Sequence, residues 1–147
     1  MILAQDFLVV AELLAKGASE AEWRTAVSRA YSAAFHAARE LLRDLGFQVP
    51  QGDQAHAYLW MRLTNSGEAA ISSAGSQLNR LRGERNRADY DLHLDVSDVD
   101  ARFSVLEVRK FFQTLTPATV EPVRTQITAT IRDYERNVLR TVTWQGP

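Results

Sequence analysis

Apolar residues recur at steps of three and four along almost the whole chain, a period that a helix satisfies and a strand does not. Leu3, Phe7, Val10 and Leu14 form one such stripe on a first helix that Gly17 ends. Ser19 and Glu22, three apart, compose a capping box that starts a second helix. This helix carries Trp23, Val27, Ala30, Ala34, Leu41 and Leu45 and stops near Gly46. Alanines at 26, 30, 33, 34, 37 and 38 make its middle a strong helix former and let a neighbouring backbone come close. The spacing therefore places it at the centre of the fold.

Gln48 to Asp53 reads as a loop punctuated by Pro50 and Gly52, with Asp53 capping a third helix that carries Ala55, Leu59 and Leu63 and ends at Asn65-Ser66-Gly67. A fourth helix runs from about Glu68 through Ile71, Leu78 and Leu81, with Gly75 and Gly83 as weak points costing about 1 kcal/mol each against Ala. The stretch from Ala88 to Asp98 alternates too briefly for a strand, which would find no partner elsewhere, and reads as an irregular connection. Ser97, with Asp100 three positions on, starts a fifth helix through Phe103, Leu106 and Phe111 that Thr116-Pro117 ends. Pro122 suits the first position of a last helix carrying Val123, Ile127, Ile131, Tyr134 and Val138, and the tail from Thr141 reads as loosely attached. The expectation is one all-α domain over residues 1–147, an antiparallel helical bundle of five to six helices joined by short connections. Its motif-bearing core spans about residues 20–115 and its C-terminal helix about 120–141.

Composition narrows the chemistry. With no Cys, thiolate nucleophiles, Cys-based zinc sites and disulfides are excluded, in keeping with a reducing cytoplasm. The N-terminal apolar run holds Asp6 and Glu12 and lacks a basic start, so it reads as helix rather than secretory leader. No uncharged run approaches the roughly 20 apolar residues of a membrane span, and no membrane partner is expected. Net charge is −1, so any site for a polyanion must come from local clustering. Fifteen Arg stand against two Lys, and Arg brings a rigid donor fork suited to carboxylates and phosphates. No Gly-rich phosphate loop, dinucleotide fingerprint or zinc signature is present, and no cofactor is expected.

Two segments depart from a generic bundle. One is Arg29-Ala-Tyr31-Ser-Ala-Ala-Phe35-His36; the other gathers Arg80, Arg82, Arg85 and Arg87 and follows them with Asp89 and Asp91. The block SRAYSAAFHAARELL, with Arg82-Gly-Glu-Arg85-Asn-Arg-Ala88-Asp89-Tyr90-Asp91 after it, resembles the paired signatures of HEPN domains, in particular the small standalone members. The resemblance covers residues from about 20 to about 115. It implies an all-α homodimer, often found with a nucleotidyltransferase partner, and in many members a metal-independent endoribonuclease acting as a toxin or in defence. It also implies that two copies of an Arg-polar pair meet across the dimer cleft. Arg85-Asn86 matches that pair, while Tyr90 stands where nuclease members often carry His, and His93 is the nearest imidazole.

Metal-free RNA cleavage needs positive charge on the phosphate, a group for the 2′-hydroxyl and an acid for the leaving 5′-oxygen. Arg85 is a candidate for the phosphate, Asn86 for orienting the hydroxyl, and His93 for proton transfer, since imidazole ordinarily titrates near 6.5. Tyr90 offers a hydroxyl donor. Arg29, His36, Arg82, Arg87 and Asp89 are candidate substrate contacts. The alternative reading pairs Arg85 and Arg87 with Asp89, Asp91 or Glu84 as a structural charge cluster. It also makes Tyr31 and Phe35 a core aromatic pair and His36 an interior residue. His56 is either structural or turned towards substrate. Asp89, Asp91 and His93 alternate, so in an extended segment they would share a face, but the neighbouring Arg side chains compete for both carboxylates and no metal is expected. On either reading of the cluster, RNA and a protein partner are the two kinds of ligand in view, and a non-catalytic interaction protein is the alternative to a nuclease.

Overall fold

Side-chain caps decide where several of these helices begin. Ser19 Oγ accepts from Glu22 N at 3.2 Å and donates to Glu22 Oε1 at 2.8 Å, which starts α2 (Glu20–Leu45). Ser97 and Asp100 form the reciprocal box, Ser97 N to Asp100 Oδ2 at 2.9 Å and Asp100 N to Ser97 Oγ at 3.1 Å, which starts α5 (Asp98–Leu115). The computed structural model describes all residues from Met1 to Pro147 and adds α1 (Ala4–Ala15), α3 (Gln54–Thr64), α4 (Ala69–Tyr90) and α6 (Val123–Tyr134). A 3₁₀ turn follows α5 at Thr116–Thr119 and a π-helical turn follows α6 at Glu135–Leu139. The fold is the expected all-α helical bundle, without strands and with one isolated antiparallel bridge, Phe47 to Trp144. No helix is long and apolar enough to cross a membrane. Asp53 occupies the cap position of α3, but its side chain makes no capping bond, and Pro122 lies one residue outside α6.

The chain divides into two compact units, Met1–Ala37 with Arg80–Phe112, and Ala38–Asn79 with Gln113–Pro147. In the first, the buried face of α1 is Ala4, Leu8, Ala11 and Ala15, one position on from the expected stripe. Leu3 and Val10 are exposed. In α5 the expected Phe111 is buried, together with Ala101, Val105 and Val108, while Phe103 and Leu106 are exposed. Small residues face inward and let backbones approach closely, which leaves the larger side chains at the edge of each wide apolar stripe facing out.

The second unit is closed by its C-terminal tail, contrary to the expectation of loose attachment. Gln48 N donates to Thr143 O at 3.0 Å, Gln145 N to Gly46 O at 2.9 Å, and Trp144 Nε1 to Leu45 O at 2.8 Å. The stripe of α6 continues from Ile127 and Ile131 to Glu135, not to Val138, which is exposed. Glu135 is fully buried, and its carboxylate accepts from Arg62 Nε at 2.8 Å and Thr143 N at 3.0 Å. Breaking such a pair strands a charge in low dielectric, so the tail is tied to the core by the requirement that Glu135 stay satisfied.

Candidate functional site

Three side chains on α2, Arg24, Ser28 and Tyr31, follow one another at steps of four and three and therefore share a face. That face holds the C-terminal end of α4. Arg24 is 9% exposed, and its Nη1 donates to the carbonyls of Ala88 at 2.9 Å and Asp91 at 3.1 Å. Its Nη2 donates to Leu94 O, and its Nε pairs with Glu20 at 3.0 Å. The last carbonyls of a helix lack partners inside the helix and carry partial negative charge, so a guanidinium there both satisfies and neutralises them. One turn on, Ser28 Oγ donates to Asp89 Oδ2 at 3.0 Å, and the same oxygen pairs with Arg85 Nε at 3.0 Å.

Arg85 is thereby aimed along α4. Its Nη1 donates to Asn86 Oδ1 at 3.1 Å, and its guanidinium lies 5.6 Å from the Tyr90 ring centroid, within cation–π range. Beneath it the Tyr31 phenol is buried, which pushes its pKa up to about 12 although the charges of Arg82 and Arg85 pull the other way. Arg82 Nε is buried without a hydrogen-bond partner. Arg87 points elsewhere. It is exposed, makes no ion pair, and lines an open groove with Asn86, Tyr90, Asp91, Leu92 and His93. Tyr90 is 72% exposed there, and His93 is exposed, its backbone N–H donating to Asp91 Oδ1 at 3.3 Å.

The structure thus gathers Arg85, Asn86, Arg87, Asp89, Tyr90 and His93 at one helix end, with Arg82 beside Tyr31 below it, and it sets Arg29, His36, Arg80 and His56 apart. His36 stacks on Phe7 of α1 with ring centroids 5.1 Å apart and meets Phe35 edge-on at 5.2 Å, an inter-helix packing role. Arg29 shares none of the contacts around Arg85 and is half-buried on α2. Arg80 bridges Glu84 and Glu107, so it belongs to the structural charge pairs. His56 lies on α3 in the other unit. The alternation of Asp89, Asp91 and His93 does not become a shared face, because α4 continues through Tyr90 and the Asp89 carboxylate is held by Ser28 and Arg85. Arg24 and Ser28 were missed in the sequence. Their signal was two polar residues falling on the buried face of an otherwise Ala-rich helix.

One braced helix end thus carries arginines, an amide, a phenol and an imidazole, groups whose chemistry suits an anionic or hydrogen-bonding ligand. The chain belongs to the HEPN domain family, which matches residues 3–117. At the level of the family this associates it with RNA binding, RNase-type chemistry or nucleotidyltransferase partnership. No curated protein and no solved structure matches the chain significantly.

Proposed function

We propose that this HEPN protein binds single-stranded RNA in the groove at the end of α4 and cleaves it without a metal ion, as a homodimer. The observation that carries the reading is Arg87, an exposed guanidinium without an ion pair, lining one groove with Asn86, Tyr90 and His93. An unpaired Arg fork is free to take a phosphate. In the reaction the 2′-oxygen forms a bond to phosphorus and the bond to the 5′-oxygen breaks, leaving a 2′,3′-cyclic phosphate and a 5′-hydroxyl. The 2′-hydroxyl proton passes to a base and a proton passes to the leaving oxygen. His93 is the groove's imidazole and takes the proton-transfer role, and Tyr90 and Asn86 supply hydrogen bonds to the reacting group.

Cleavage of RNA by the purified chain in EDTA tests this. His93→Ala is expected to slow cleavage about 10²–10⁴-fold with binding retained. Arg87→Ala is expected to weaken RNA binding and to flatten its salt dependence by about one unit of slope. A second reading is favoured by the hold that Asp89 and Asn86 have on Arg85, namely a non-catalytic helical partner of a nucleotidyltransferase. Absence of cleavage and of RNA binding, together with expression that is harmless in the absence of a partner, would establish that reading and remove the toxin-like one.

A further inference from the structure

Arg87 lines a second hollow as well as the groove, a cavity of about 210 Å³ within the same compact unit. Val27 and Phe103 give it apolar walls, and Glu84, Asp95 and Asp100 give it carboxylates. Phe103 is an aromatic ring left 57% exposed at its mouth. The carboxylates are not equivalent. Glu84 is paired with Arg80 at 2.9 Å, and Asp100 Oδ2 accepts from Ser97 N at 2.9 Å to cap α5. Asp95 makes no ion pair or hydrogen bond, so both of its oxygens are open to a ligand.

We propose that this cavity is the base-recognition subsite of the RNA groove and that it selects guanine; the inference rests on the RNA-binding reading above. Sequence in RNA is read mainly from unstacked bases, which stack on aromatic or Arg planes and are hydrogen-bonded along their edges. Phe103 and Arg87 are the planar groups available at this cavity. Its volume falls below the roughly 300–1,000 Å³ of a drug-sized pocket and suits one ring system rather than a chain of nucleotides. Charge sets the direction of entry. The carboxylates repel phosphate, so the neutral base turns inward while its phosphate stays with Arg87 at the boundary between cavity and groove.

Asp95 then sets the choice of base. An ionised carboxylate only accepts hydrogen bonds, and it does so through two oxygens side by side. Guanine presents N1–H and an N2 amino group side by side and meets both oxygens. Adenine and cytosine place an acceptor nitrogen beside a single amino group, and uracil flanks its one N–H with carbonyls. Each of those bases sets a lone pair against the carboxylate.

The test measures binding of the full chain to short 2′-O-methyl oligouridines carrying one internal guanine, adenine, cytosine or hypoxanthine. The 2′-O-methyl group blocks the nucleophile, so binding is read without cleavage. The guanine oligonucleotide is expected to bind about ten- to a hundredfold more tightly than all-uridine. Hypoxanthine, lacking the 2-amino group, is expected to fall between them. Asp95→Asn is expected to bring the guanine-to-uridine ratio close to one, and Phe103→Ala to lower it. Equal affinity for every oligonucleotide, lost on Arg87→Ala, would overturn the subsite and leave the RNA groove standing. A guanine preference that survives Asp95→Asn would overturn its assignment to this cavity. Failure of every oligonucleotide to bind would overturn the RNA reading itself.

Discussion

Arg85 and Arg87 sit two positions apart on α4 with the same side chain and different circumstances, because Asp89, one turn on along α4 and braced by Ser28 of α2, pairs with Arg85 and not with Arg87. Sequence reading located both residues and weighed pairing against phosphate contact for each. It had no means of dividing them, since the division depends on which side of α4 meets Ser28. Arg24 is legible only in part, since Glu20 four positions before it is a partner that spacing can show, whereas the carbonyls of Ala88, Asp91 and Leu94 are groups that any sequence supplies. Tyr31 is where residue-scale chemistry becomes measurable. Below about pH 10 its phenol is neutral both folded and unfolded, and this proton-linked stability is fully present. From there to about pH 12, its folded value, the unfolded chain ionises first and stability falls. The loss amounts to about 1.4 kcal/mol per pH unit, or roughly 2–3 kcal/mol in all. Denaturant unfolding from pH 9 to 12, with Tyr31→Phe as reference, is expected to show the wild type losing that much more than the variant. Equal slopes would mean that the phenol ionises as freely in the fold as in the unfolded chain.

At the scale of elements, existence and the two serine caps are legible in the sequence, while the Asp53 cap, the place of Pro122 and the rotational phase are not. The period of three and four located every helix, and the Ser19 and Ser97 boxes were read correctly from spacing alone. The sequence stripe of α1 is one position off, and that of α5 is right at Phe111 but not at Phe103 and Leu106. Hydrophobicity ranks large above small, whereas close helix approach favours Ala4, Ala11, Ala15 and Ala101. The sequence ends α4 too early, since Ala88-Asp89-Tyr90 reads as the start of a loop, whereas Arg24 holds the carbonyls there and the helix runs to Tyr90. The two helical glycines divide on the same criterion of approach. A Cβ on Gly75 would lie 2.5 Å from Thr64 N and 2.8 Å from Trp60 O, so this glycine lets α3 and α4 touch. A Cβ on Gly83 would meet nothing within 4 Å. Gly83→Ala is therefore expected to stabilise by about 0.5–1 kcal/mol, the ordinary helix-propensity gain. Gly75→Ala is expected to destabilise by at least about 1–3 kcal/mol through overpacking. Thermal melting of the two variants checks both signs, and a stabilising Gly75→Ala would show that the two helices have room to separate.

For the whole molecule, the shifted phase of α1 and α5 has a consequence in solution. Leu3 stands exposed at the cap of α1 and Val9, Val10 and Leu13 along it, with Val99 and Leu106 exposed on α5, in the same unit as the groove. Large contiguous apolar exposure is uncommon on a monomer, and a twofold interface covers the same patch on both copies at once. This surface supports the homodimer in the proposed function. The sequence period implies leftover apolar area but places Leu3, Val10 and Leu106 on inward stripes, so it does not locate this face. Light scattering is expected to give about 33 kDa, twice the 16.5 kDa chain, at a concentration of order 10 μM, well above the roughly micromolar dissociation constants that standard interfaces reach. Leu13 is 66% exposed, so Leu13→Glu costs little within one copy but sets a carboxylate against an apolar partner surface. That variant is expected to run as a monomer with its helical circular dichroism intact and with RNA cleavage lost, since a cleft built from two copies needs both. A monomeric Leu13→Glu that still cleaves at the wild-type rate would show that each groove works alone. A wild type that is already monomeric would remove the composite cleft and leave single-copy RNA binding to account for the groove.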